Sequence, residues 1–66
     1  MKNKIKIERA INGLTQEELA NKISVSRQTI NAMEANKYVP STVLAIKISE
    51  VFQTTVNAIF TLEEDD

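Results

Sequence analysis

Residues 26–31, Ser-Arg-Gln-Thr-Ile-Asn, concentrate side chains suited to hydrogen bonding with a flat, polar partner. A guanidinium can form two parallel hydrogen bonds with guanine, and a carboxamide can do the same with adenine. Small soluble proteins usually carry Glu and Lys on their helix surfaces, and Glu would repel phosphates. Arg27 alone would be interpreted as an ordinary solvated residue. With its polar neighbours it indicates the reading of base edges in duplex DNA, by Arg27, Gln28, Thr29 and Asn31.

The segments on either side of this polar run predict how it is held. Thr-Gln-Glu-Glu at 15–18 is a capping box, in which Thr15 and Glu18 bond each other's backbone N–H groups at a helix start. Ile-Ser-Val-Ser at 23–26 then predicts a short turn, with Ser26 as the next N-cap. Ile30 and Met33 form a thin apolar stripe below the polar surface. The pattern is that of a helix-turn-helix, whose second helix enters the major groove.

The composition predicts an all-α domain, because one Gly and one Pro are too few for the turns of a small β domain. We expect five helices. The first is capped by Asn3, runs over 4–11 and stops at Gly13, where a positive φ is needed. The next three are expected at 15–23, 26–35 and 41–53, the last of them capped by Ser41. A short fifth helix is expected over 56–60, capped by Thr54 or Thr55. Residues 1–62 should form this single compact DNA-binding domain, with 63–66 as an acidic, disordered tail.

Charge and residue counts narrow the possible functions. The net charge is −1, but residues 1–62 carry eight Lys and Arg against five Glu, a net charge of +3 that weakly favours an anionic partner. No Cys or His is present, so the sequence offers no thiolate or imidazole for metal binding or acid–base chemistry. We therefore expect no enzyme, metal or cofactor. The longest apolar run is four residues, so we expect no membrane span and a cytoplasmic location.

The segment LTQEELANKISVSRQTINAMEANKYVPS, at 14–41, resembles the lambda-repressor-like helix-turn-helix regulators, the phage Cro and repressor class also called the XRE family. The similarity extends over about residues 3–62 and is greatest to short, stand-alone members. It implies five helices, double-stranded operator DNA as a partner and a homodimer, with no small-molecule ligand evident. Carried over by position, it also implies a set of phosphate contacts: Gln16, Ser26, Asn36, Lys37 and Tyr38.

Two positions depart from the family pattern. Relatives often have Gly in the turn where this chain has Ser24, and Gly again where it has Asn36. If the turn needs a positive φ, Ser24 costs roughly 1–2 kcal/mol. Asn36 tolerates that conformation better than most residues do.

Two further interactions are expected between parts of the chain that lie far apart. Arg9, on the inner side of helix one, and Glu34, at the end of helix three, should form a partly buried ion pair, which the family resemblance also implies. Apolar residues beyond the core stripe of helices four and five predict a homodimer interface. The alternative is that the two of them in helix four, Val43 and Ile46, are incidental surface residues. The interface residues are Val43, Ile46, Ile59 and Phe60.

The sequence thus predicts a sequence-specific regulator, a repressor that binds a palindromic operator as a dimer. The alternative is a protein-interaction module that uses the same fold without binding DNA. An antitoxin-type protein would be intermediate, because it binds both DNA and a protein partner. The surface formed by Arg27, Gln28, Thr29 and Asn31 argues against a pure interaction module.

Overall fold

The computed structural model describes all 66 residues and confirms the five-helix fold, with a helix-turn-helix at the second and third helices. Helices α2 and α3 form the most extensive contact between elements, and α4 packs against both α2 and α5. None of the helices is long and apolar enough to cross a lipid bilayer. The elements in chain order are β1 (Lys2–Asn3), α1 (Ile5–Asn12), α2 (Gln16–Ile23), α3 (Arg27–Glu34), α4 (Thr42–Val51), α5 (Val56–Ile59) and β2 (Phe60–Thr61).

Hydroxyl side chains begin four of the five helices, as predicted. The Thr15 Oγ1 accepts from the Glu18 N–H at 3.0 Å, and Glu18 Oε1 accepts from the Thr15 N–H at 3.0 Å. The hydrogen bond from the Thr15 backbone N–H favours the ionised carboxylate, so it holds the pKa of Glu18 below its usual value, and the Thr15 hydroxyl lowers that pKa further. Ser26, Ser41 and Thr55 cap α3, α4 and α5 in the same way. The starts of α2, α3, α4 and α5 are therefore set locally.

The first four helices all end at a residue in the left-handed conformation: Gly13, Ser24, Asn36 and Gln53. At the end of α3, the Asn36 N–H bonds the carbonyl of Met33, and the Lys37 N–H bonds that of Ala32. These paired bonds form a Schellman motif, which satisfies the last carbonyls of a helix. Because three of the four residues are not glycine, the chain accepts backbone strain to make its turns tight.

Replacing Ser24 by glycine is expected to stabilise the fold by up to about 1 kcal/mol, since glycine adopts a positive φ without strain but loses more entropy on folding. Ser24 has a φ of 60°, and its hydroxyl makes no hydrogen bond within the protein. Denaturant unfolding measures the effect. Ala35→Gly is the control, because Ala35 has an ordinary φ of −84° and the change should destabilise. Equal effects at both positions would contradict the strain assigned to Ser24.

The structure corrects both ends of the predicted helical region. Lys4, not Asn3, is the N-cap residue of α1, although the Asn3 Oδ1 accepts from the Ile5 N–H at 3.1 Å. Asn3 lies in β1, which pairs antiparallel with β2 in the register Lys2 with Thr61 and Asn3 with Phe60. The Lys4 N–H continues the pairing by donating to the carbonyl of Ile59 at 2.9 Å. This sheet ends α5 at Ile59 and closes the two ends of the chain on each other. No local pattern encodes a pairing between residues so far apart in the sequence.

One cluster of buried apolar residues joins all five helices and β2. Ile30 and Met33 of α3 are completely buried in it, so the orientation of α3 about its own axis is determined by packing. Ala20 is small and buried where α2 and α3 cross, as expected for a close approach. The cluster consists of Ile5, Leu19, Ala20, Ile23, Ile30, Met33, Ile48, Phe52, Ile59 and Phe60.

Residues 63–66, for which the sequence predicts disorder, form a turn in the structure. The Asp66 N–H donates to the carbonyl of Glu63, and the Met1 amino group contacts the carboxylates of Glu63 and Asp66 at 3.0 Å each. The hydrogen bond from Met1 to Asp66 raises the pKa of that amino group most. Four acidic charges are thereby gathered at the same end of the molecule as the β1–β2 sheet.

Candidate nucleic-acid interface

The side of helix α3 that faces away from the core is polar. Because Ile30 and Met33 face inward, residues at helical spacing from Gln28 through Asn31 to Ala35 face outward. Arg27 and Gln28 are exposed, and neither side chain makes a hydrogen bond or ion pair within the protein. Their donors and acceptors are therefore free for an external partner.

The N-terminus of α3 holds two hydroxyls in contact with each other. The Ser26 Oγ accepts from the Thr29 N–H at 3.2 Å and lies 3.0 Å from the Thr29 Oγ1. No acidic residue occurs in the first turn. The partial positive charge of this helix end is thus not offset by a carboxylate, which suits the approach of an anion. Thr29 is half-buried, and its hydroxyl is already engaged by Ser26.

A hydrogen-bond network connects α2 to α3 beside this surface. The Gln16 Nε2 donates to Asn31 Oδ1 and to Glu34 Oε1, each at 3.3 Å. Sequence reasoning selected Gln16 and Asn31 for separate roles and did not anticipate this contact between them. Fifteen residues separate the two, and no spacing rule relates them. Their contact depends on the angle at which α2 and α3 cross.

Arg9 and Glu34, the predicted ion pair, lie in contact beneath the network. The Arg9 Nε donates to Glu34 Oε2 at 2.7 Å, and a second guanidinium nitrogen donates to Oε1 at 3.1 Å. A third nitrogen donates to the carbonyl of Leu14 at 2.9 Å. The side chains of Arg9 and Glu34 are only 16% and 8% exposed. The hydrogen bond with Glu34 raises the pKa of Arg9 further above its usual value. This pair attaches α1 to the end of α3.

The loop after α3 is exposed but held at its base. Asn3 Nδ2 donates to the carbonyl of Met33 at 2.7 Å and to Asn36 Oδ1 at 3.1 Å. Asn3 was predicted only as a helix cap, so this support of the loop was missed. Lys37 and Tyr38 follow Asn36 with exposed side chains. The loop thus presents an amide, an ammonium and a phenol beside the end of α3.

The predicted dimer residues fall into two classes. Val43 and Ile46 of α4 are 62% and 46% exposed. Ile59 is completely buried, so its predicted place in the dimer interface is wrong, whereas Phe60 is 8% exposed. The reason is the β1–β2 sheet, which draws the end of α5 into the core. Phe60 keeps one edge in a shallow groove of about 210 Å³ that Ile46 also lines.

Comparison with known proteins identifies related chains across this whole region. The sequence model of the helix-turn-helix family matches residues 5–59. An uncharacterized HTH-type transcriptional regulator of Methanocaldococcus jannaschii is 53% identical over 66 residues, covering all of both chains. One from Bacillus subtilis is 46% identical, again over the full length of both. One from Archaeoglobus fulgidus is 42% identical over all of this chain and 94% of its own.

Proposed function

This chain belongs to the helix-turn-helix family of transcriptional regulators, and from that premise we propose that it is a repressor that binds a palindromic operator as a homodimer. DNA binding and transcriptional regulation follow from the family. The repressor activity, the symmetry of the operator and the dimer are our proposals. Repression would act by occupancy, because a dimer seated on its operator excludes other proteins from the same stretch of duplex.

The surface of α3 supports this proposal most directly. It combines unpaired Arg27 and Gln28 with a first turn that carries no acidic residue. An α-helix with its side chains is about 10–12 Å across, and the major groove of B-DNA is about 12 Å wide. Helix α3 therefore fits the groove, with its N-terminal residues towards the base edges.

Each base-reading residue is assigned a distinct contact. Arg27 suits guanine and Gln28 suits adenine, both by paired hydrogen bonds. Asn31 directs its oxygen to Gln16, which leaves its amide N–H groups free to donate to a base acceptor. Thr29 has its hydroxyl engaged by Ser26, so its methyl group is the part suited to contact with a thymine methyl.

The flanking residues are assigned to the DNA backbone. Gln16 and Ser26 lie at the starts of α2 and α3. At the start of α3, where the first turn has no acidic residue, the backbone N–H groups and the helix dipole favour a phosphate. The loop after α3 supplies Asn36, Lys37 and Tyr38, all exposed. Contacts of this kind position a protein on the duplex without reading its sequence.

The dimer is proposed to form through α4 and the groove beside it. Val43 and Ile46 are large apolar residues at exposed positions, where a monomeric protein would usually have Glu or Lys. The adjoining groove is shallow and mostly apolar, so a second copy of the chain can cover it. Recognition by two copies related by a two-fold axis requires a symmetric site. The groove is lined by Met1, Val39, Pro40, Thr42, Ala45, Ile46, Val56 and Phe60.

Selection of bound duplexes from a random library by the purified protein tests the proposal. We expect enriched sequences with two inverted half-sites about 34 Å apart, one helical turn of DNA. Placing the selected site across a promoter should then lower transcription in a purified system. Enrichment without inverted symmetry would contradict the dimer, and binding that is indifferent to sequence at moderate salt would contradict operator recognition.

Substitution of Arg27 or Gln28 by alanine is expected to cost roughly 1–3 kcal/mol of discrimination between the selected site and its variants, because each loses a paired contact with one base. Lys37→Ala is the matched comparison. It should weaken binding to all sequences alike and flatten the salt dependence. Titration of operator and random duplex by fluorescence anisotropy separates these patterns. Equal losses on both duplexes for Arg27→Ala would remove its base-reading assignment.

A further inference from the structure

A groove of about 260 Å³ opens between α1, the start of α2 and the end of α3. The Arg9–Glu34 pair and Gln16 form part of its wall. Lys6 lines the groove from α1, a helix that the assignments above leave without any DNA contact. The groove is lined by Lys6, Arg9, Gln16, Asn31, Glu34 and Ala35.

Lys6 is the only charge in this groove that the protein does not balance. Both oxygens of Glu34 accept from the Arg9 guanidinium, and one of them also accepts from Gln16. The charges of Arg9 and Glu34 therefore offset each other. Lys6 is exposed and takes part in no ion pair. On α1, the residues three and four positions from Lys6 are Arg9 and Ala10, neither of them acidic.

The groove adjoins the outward surface of α3. Asn31 and Ala35 belong both to the groove and to the stripe that faces away from the core. A helix seated in the major groove nearly fills its width, so the phosphates of the groove edge pass beside the elements that flank the helix. Gln16, already assigned to that edge, lies on the same groove as Lys6. A lysine has the length and the point charge to meet a phosphate there.

We propose that Lys6 is a further DNA-contacting residue, which binds a backbone phosphate of the strand that passes over the start of α2. This inference rests on the proposed docking of α3 in the major groove. It extends the interface from the helix-turn-helix and its following loop to α1. The phosphates of this strand would lie along the protein from Gln16 to Lys6. The Arg9–Glu34 pair, which carries no net charge, would lie beside them between α1 and α3.

The number of phosphates contacted is measured by the salt dependence of binding, because each contact releases counterions. Binding of a mixed-sequence duplex is followed by fluorescence anisotropy across a series of salt concentrations. The variants are Lys6→Gln, which removes the charge, and Lys6→Arg, which keeps it. Lys4→Gln is the matched control, since Lys4 is an exposed lysine at the start of the same helix that does not line the groove.

We expect Lys6→Gln to reduce the slope of log affinity against log salt by about 0.9 per bound protomer. When salt rises from about 50 to 200 mM, the fold-loss of affinity of Lys6→Gln should then be about three- to four-fold smaller than the fold-loss of the parent. Lys6→Arg should keep the parent slope, and Lys4→Gln should stay close to it. If Lys6→Gln keeps the slope of the parent, or if Lys4→Gln changes the slope by the same amount, the phosphate contact of Lys6 is overturned while the proposed function stands. A parent that binds no duplex would overturn the proposed function as well.

Discussion

Replacing Arg9 by methionine is expected to destabilise the fold by roughly 3–5 kcal/mol, the effect of removing one partner of a buried ion pair. Glu34 is 8% exposed and would lose both guanidinium hydrogen bonds, which leaves its carboxylate with little compensation from water. The carbonyl of Leu14 would lose its Arg9 donor as well. Denaturant unfolding of the parent and the variant measures the loss.

The double variant Arg9→Met with Glu34→Leu separates the pair from its surroundings. It is expected to be much more stable than the Arg9 variant alone, because no unpaired charge remains and apolar groups fill the space. The parent, the single variants Arg9→Met and Glu34→Leu, and the double variant form a double-mutant cycle, in which the coupling energy isolates the interaction. Arg27→Met, at an exposed and unpaired arginine, is the control and should change stability little. Coupling near zero would show that the two charges do not depend on each other.

The second large effect is expected at Ile46. Its replacement by glutamate should turn a dimer into a monomer at micromolar concentration, because a carboxylate would be placed in an apolar interface without a partner. Two connected protomers on two half-sites gain about 10²–10⁴ in affinity over one. We therefore expect a loss of that order on the full operator. Sedimentation of the free protein and titration of the full and half operators measure the two consequences.

Ile11→Glu is the control for this substitution. Ile11 is 72% exposed on α1, a helix outside the proposed interface, so the same change of charge and shape should leave the dimer intact. A parent that sediments as a monomer would reject the dimer. An Ile46→Glu variant that still dimerises and binds the full operator would reject the interface placed on Val43 and Ile46.

Residues close together in the sequence determined most of the helix boundaries. Thr15 with Glu18, and Ser26 with the Thr29 N–H, cap helices over three residues, so their chemistry is complete within a single turn. Gly13 marked the end of α1 for the same reason. The spacing of Ile30 and Met33 defined an inner and an outer side of α3. The polar run from Arg27 to Asn31 was therefore placed outward before any packing was known.

Tertiary structure decided what local patterns do not encode. The backbone of Asn3 pairs with Phe60 while its side chain still accepts from the first N–H of α1, and the same pairing leaves Ile59 completely buried. The Gln16 and Asn31 side chains meet only because α2 and α3 cross at one particular angle. Contacts over such separations depend on how whole elements pack, which the periodicity of one element leaves open. For that reason the sequence predicted α3 as the base-reading helix, and the fold determined which groups support it.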